Sequence, residues 1–301
     1  MKKISSILVI LDKAKHPQTA LARARLIQQA TGAHLHLVAF CWLAMAEEKD
    51  IYDAHQRRAM KKAVLHERST WLMDQVRDAG LAAADVATEV AWTSDIAAWI
   101  REHAAERGVD LVLKSIHQSR TLTHTPLDWE LLRTCPVPLL LVSTRRRKTR
   151  GRVLAALDLR HNDRRHNTLN LRVLDAARCF AELGGVPRAQ KGQLHCVSVV
   201  EYSTILRDLD FIDVRKKQKA AKQKTEGLLD ALLEPYAVPK ARVHMPAGKV
   251  GQCVAATARK IDADLLVVGT STRRALGEVL LGSAAEKILT RAPCDVLAVH
   301  P

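Results

Sequence analysis

The sequence predicts two α/β domains in tandem, each a parallel sheet covered by helices on both faces. Two observations carry this. Along all 301 residues, short apolar runs alternate with longer segments whose apolar positions recur every three or four residues. The alternation is also written twice, with a period of roughly 150 residues, which is the scale of a duplicated domain and not of a solenoid repeat. A chain of this length accommodates two such domains.

The duplication is legible segment by segment. Lys2–Asp12 (KKISSILVILD) and Arg152–Asp158 (RVLAALD) are basic-led apolar strands that end in Asp. Gly32–Cys41 and Gly192–Val200 read as second strands, and Asp110–Lys114 (DLVLK) matches Asp264–Val268 (DLLVV). Cys135-Pro136 before LLLVS matches Pro293-Cys294 before VLAVH. In the first half, strands are expected near 4–11, 34–41, 84–91, 110–115 and 137–143, with helices near 17–31, 53–79, 94–107 and 126–134. In the second half, strands are expected near 152–158, 193–200, 240–246, 264–269 and 295–299, with helices near 163–183, 207–234, 249–261 and 282–291. The domains are then 1–144 and 151–301, joined by a basic linker at 145–150.

The segment from Gly269 to Ser283 holds the strongest functional signal. It follows the buried-strand run Asp264–Val268 and precedes the helical Ala284–Leu289. A strand, a glycine-bearing loop and a helix start place unpaired N–H groups where an anion can be held. Ser283 can cap the helix or bond a phosphate oxygen, and Arg273 and Arg274 add positive charge. A plain strand-to-helix turn with a Gly-Ser cap is the competing reading, because a lone glycine loop is a weak motif. Ligands in parallel sheets sit at the carboxyl ends of strands, where Asp158 and Gly269 both fall.

On these residues the chain resembles the universal stress protein family, and in particular its tandem members of the E type. The resemblance covers essentially the whole sequence. Nucleotide-binding members of the family carry Gly, two residues, Gly, nine residues, then Gly-Ser or Gly-Thr. Gly269 and Gly282-Ser283 stand at that spacing, with Thr272 in place of the middle glycine. The resemblance implies that Asp158 lies near the adenosine. It also implies that the backbone of Cys196–Val199, Val197 within it, meets the adenine. The implied site for ATP or a related adenine nucleotide is therefore Asp158, Val197, Gly269, Thr272, Arg273, Gly282 and Ser283. The first half has lost the pattern: no glycine lies between Gly108 and Gly151, and Ser115 aligns with Gly269. A Thr125-Pro126-Leu127-Asp128-Trp129 stretch, as in E-type relatives, replaces the Gly-Ser, with Asp128 read as a cap of its own helix. No nucleotide is expected there. The family also implies that the last strands, 137–143 and 295–299, pair within the chain as an intramolecular pseudo-dimer, which would cap otherwise open sheet edges.

Composition narrows the remaining classes. With 26% charged and 48% apolar residues the chain is of ordinary globular make-up. No segment approaches membrane-span length, and Met1-Lys2-Lys3 leads into a strand without a small-residue cleavage site, so a cytoplasmic protein is expected. The six cysteines form no Cys-x-x-Cys pair and read as free buried thiols. Net charge is +15, concentrated at Thr144–Arg150 and at Arg215, Lys216, Lys217, Lys219, Lys222 and Lys224. A solvated helix face is the ordinary account of the second run, and binding of a polyanion the sharper one. Few aromatics are available for base stacking. Thirteen histidines, with His34 and His36 alternating on one strand, lack any recognised metal spacing. All five tryptophans lie in the first half and are expected in its core; a pocket for an apolar ligand is the alternative. No nucleophile elbow or Walker sequence is present, so no catalytic residue is assigned. The reading is a stress-response binding protein, with a polyanion adaptor or a slow ATPase as alternatives.

Overall fold

The structure, a computed structural model, describes residues 3–116, 126–144, 150–160, 163–183, 192–200, 223, 225–270, 272–275 and 278–301, with backbone alone over 272–275 and 278–281. The described residues divide into two compact units, one up to Thr144 and one from Arg150 to Pro301.

In the first unit, β1 (Ser6–Ile10), β2 (His34–Cys41), β3 (Val86–Trp92), β4 (Leu111–Ile116) and β5 (Leu139–Ser143) form a parallel sheet of order β3-β2-β1-β4-β5. Helices α1 (Thr19–Thr31), α2 (Ala54–Asp78), α3 (Ile96–Glu106) and α4 (Pro126–Thr134) connect them. In the second, β6 (Arg152–Leu157), β7 (Gln193–Ser198), β8 (Val243–His244), β9 (Leu265–Gly269) and β12 (Asp295–Val299) repeat the arrangement in the order β12-β9-β6-β7-β8. Its helices are α5 (Arg164–Glu182), a stretch at 225–233 (α6), α7 (Val250–Lys260) and α8 (Ser283–Leu289). The expected fold class is the observed one.

Local sequence explains the elements. Asp53 and Gln56 form a reciprocal capping box at the start of α2, and Asp95 and Asp163 accept N–H bonds at the starts of α3 and α5. The strands are nearly continuous Leu, Ile and Val because both faces are covered, and β4 is buried at every position. The duplication extends to a tie at the strand entrances. Asp110 Oδ2 accepts from the N–H groups of Ser5 and Ser6, and Asp264 Oδ2 accepts from those of Arg150 and Arg152. Gly251 lets α7 approach α8, since a Cβ there would lie 2.2 Å from the Lys287 carbonyl oxygen.

Three expectations need correction. The loop after Gly269 is not irregular: Thr272–Ala275 (β10) and Glu278–Leu281 (β11) pair as an antiparallel hairpin. The strand expected over 240–246 shrinks to Val243–His244, because Lys240–Arg242 form a 3-10 turn after Pro239. The tryptophans do not build the core. Trp42 is 46% exposed, and Trp71, Trp92, Trp99 and Trp129 are only half-buried. Their polar edges and faces are used instead: Trp92 Nε1 donates to Glu47, the Arg68 guanidinium stacks on Trp71, and Trp99 stacks on His103. Asp128, in the first turn of α4, is fully buried, with Oδ1 2.7 Å from Lys114 Nζ.

Several expectations fall outside the described residues. These are most of the basic linker and the basic run at 215–222 with Lys224. Among the described residues no helix is long and apolar enough to cross a membrane, and no group of three or more His, Cys, Asp or Glu comes together.

Candidate functional site

In each unit the order of strand addition reverses at the first strand. In the second unit the chain leaves β6 for β7 on one side and returns to β9 on the other, so a crevice opens between β6 and β9 at their carboxyl ends. A cavity of about 380 Å³ lies there. Its walls bring together five of the seven residues expected from sequence: Asp158, Val197, Gly269, Gly282 and Ser283. Thr272 and Arg273 fall in β10, where only the backbone is described; they pair with Leu281 and Leu280.

Asp158 follows β6, and its backbone is held by a pair of bonds to one side chain. Asn170 Oδ1 accepts from the Asp158 N–H at 3.0 Å, and Asn170 Nδ2 donates to the Asp158 carbonyl at 2.8 Å. Asn170 is buried on α5, so the amide fixes the strand end against that helix. The Asp158 carboxylate is engaged by Arg160, which donates from Nε to Oδ1 at 2.9 Å and from Nη2 to Oδ2 at 2.7 Å. This two-pronged geometry is the strongest arrangement open to the two groups. Both side chains are about a third exposed, so the pair can be exchanged for other partners.

Gly269 ends β9 beneath α5. A Cβ at this position would lie 2.6 Å from Leu169 Cγ, well inside contact distance, so any larger residue has to displace Leu169. Gly282 occupies the cap position of α8, and no side chain caps that helix. Ser283, expected as a cap, is instead the first helical residue. The rest of the wall is mostly aliphatic, including Leu169, Val173, Val250 and Ile288, with His166 at its edge. His166 Nδ1 lies 2.6 Å from Asp163 Oδ2, and the bonds from His166 hold the Asp163 carboxyl below its usual range. The chemistry on offer is an apolar slot with one carboxylate, one guanidinium and glycine-flanked backbone, which suits a flat apolar group carrying polar substituents.

Sequence reasoning missed Arg160, Leu169 and Asn170. The Asp158-x-Arg160 spacing was available as a local signal. Asn170 sits twelve residues beyond Asp158, and Leu169 meets Gly269 across a hundred residues, so neither is marked locally.

The model of the universal stress protein family matches residues 3–143 and again residues 175–300. The chain belongs to the universal stress protein family. The second match begins within α5, so the β6–Asp158–Arg160 segment lies outside it even though β6 holds the place in its sheet that β1 holds in the first. Universal stress protein E of Escherichia coli K12 is 25% identical over 306 residues, covering 100% of this chain and 95% of its own. The universal stress protein E homolog of Haemophilus influenzae is 24% identical, covering 99% and 98%. Among solved structures, a universal stress protein from Pseudomonas aeruginosa UCBPP-PA14 aligns with a TM-score of 0.69 at 27% identity, over 99% of this chain and 94% of that one. One from Archaeoglobus fulgidus aligns with a TM-score of 0.66 at 16% identity, over 100% and 99%, a likeness of fold. The tandem universal stress protein architecture therefore extends through both units.

Proposed function

We propose that this tandem universal stress protein binds one adenine nucleotide, ATP or a relative, in its second unit, as a regulatory ligand. The observation that carries the reading is the convergence of Asp158, Val197, Gly269, Gly282 and Ser283 on one cavity at the sheet's switch point. The aliphatic walls take the adenine, and the strand backbone around Val197 meets its edge. Asp158 takes ribose hydroxyls once they replace Arg160, whose guanidinium is then available to a phosphate. Gly269 and Gly282 keep the phosphate end free of Cβ atoms. Thr272 stands where the family pattern has glycine, so Thr272→Gly is expected to raise affinity.

The protein's work is binding and not turnover: phosphate release from ATP should not exceed that of a Gly282→Asp control. All six cysteines are free, which suits a reducing cytoplasm. Mass spectrometry of the purified chain tests the reading. An adenine nucleotide should be carried by the wild type and lost from Gly282→Asp, which places a carboxylate at the phosphate end. Equal retention by both would refute it.

A further inference from the structure

The first unit holds a buried ion pair at the place where the second unit is hollow. Lys114 Nζ lies 2.7 Å from Asp128 Oδ1 and donates to the Ser115 carbonyl at 3.0 Å. Lys114 is 5% exposed and Asp128 is fully buried.

Strand register fixes the counterparts. Lys114 pairs with Ile10 of β1, and Val268 pairs with Ala156 at the same point of β6. Lys114 thus corresponds to Val268, and Ser115 to Gly269. Asp128 is the third residue of α4, as Ala285 is of α8. Val268, Gly269 and Ala285 all line the cavity of the second unit. In the first, the three corresponding side chains are polar and turned inward. Lys114 and Asp128 face each other, and Ser115 Oγ accepts the Ala20 N–H at the start of α1 at 3.0 Å.

Stability does not require this pair. Removing two charges from water is costly, and apolar residues of similar volume serve a fold as well or better. The second unit has the same fold with valine at the same sheet position and alanine at the same helix position. The pair does supply an anion. The carboxylate stands in the first turn of α4, against a buried ammonium, where the helix dipole favours negative charge.

We propose that Lys114 is an anion-binding site satisfied from within: the Asp128 carboxylate occupies the cleft of the first unit as a tethered ligand and closes it to small carboxylates and phosphate. The two units then divide the work. One is permanently occupied by its own side chain, and the other has an open cavity whose occupancy depends on solution.

The test is chemical rescue in the full chain. Unfolding of the first unit is followed by tryptophan fluorescence, since every tryptophan lies there. Sodium formate is compared with sodium chloride at equal ionic strength. Asp128→Ala should lose stability and regain it with formate, its midpoint rising with the logarithm of formate concentration as for uptake of one anion. The wild type and the Lys114→Met/Asp128→Ala double variant should not distinguish the two salts. Should Asp128→Ala fail to fold in either salt, Asp128→Ser is read in its place. A single variant indifferent to formate, or a double variant that responds equally, overturns the proposal.

Discussion

Substituting Gly269 by alanine probes the packing that shapes the candidate cavity. The added Cβ would lie 2.6, 2.7 and 3.1 Å from Leu169 Cγ, Cδ2 and Cδ1. Carbon atoms at rest are about 3.5–4.0 Å apart, so Leu169 has to move by roughly 1 Å. Leu169 is buried on α5, and the open space beside it is the cavity it already lines. Overpacking of this kind costs about 1–3 kcal/mol. The displaced leucine also takes room from the ligand, and about 1.4 kcal/mol of that penalty is a tenfold loss of affinity. Gly269→Ala should therefore lower both the protection of β9 and nucleotide affinity. Leu169→Ala removes the opposing atoms, so the double variant should recover part of the loss. A coupling of about 1 kcal/mol or more is expected for residues in direct contact. Because the tryptophans report on the first unit, stability is read from peptide-resolved hydrogen exchange, and affinity from competition with a fluorescent ATP analogue. A Gly269→Ala variant equal to wild type in both, or a double variant whose losses simply add, would refute the reasoning.

Arg160→Gln removes the guanidinium's two bonds to the Asp158 carboxylate without changing the Asp158 backbone anchor. Adenosine should then bind several-fold tighter while ATP gains less, and equal shifts for the two ligands in calorimetry would contradict the exchange of partners. His300 supplies a pH test. Burial pushes it down to about 4 from an ordinary value of 6.5, while its Nδ1 stays bonded to Thr270. Between those values the unfolded chain binds a proton that the folded chain does not. Stability is therefore lost as pH falls from about 6.5 to about 4 and levels off below. His300→Gln should flatten this slope in the second unit, and a parallel slope would contradict it. His195 is likewise pushed to about 4, by burial first and then by His244, so the slope should not vanish entirely.

The fold was legible because its signals are local or periodic. The Leu-, Ile- and Val-rich strands, the Asp caps at 53, 95 and 163, and the matching Asp110 and Asp264 all stand in the sequence. So do Asp158, Gly269 and Gly282-Ser283. What was not legible depends on tertiary contact. Lys114 sits in an apolar run and Asp128 at a helix start, and each has an ordinary local reading until register sets them face to face. The hairpin at Thr272–Leu281 has no local signal, because the glycine spacing of that segment suits a loop and Glu278–Leu281 shows no alternation. Side-chain type alone places the tryptophans in the core, yet they lie half-exposed, where ring edges and faces meet Glu47, Arg68 and His103.

If only the second unit takes a nucleotide, isothermal titration of the intact chain with ATP reads it as stoichiometry. One site per chain, abolished by Gly282→Asp, is the predicted result. Two equivalent sites, or a single site untouched by Gly282→Asp, would exclude selective binding by the second unit.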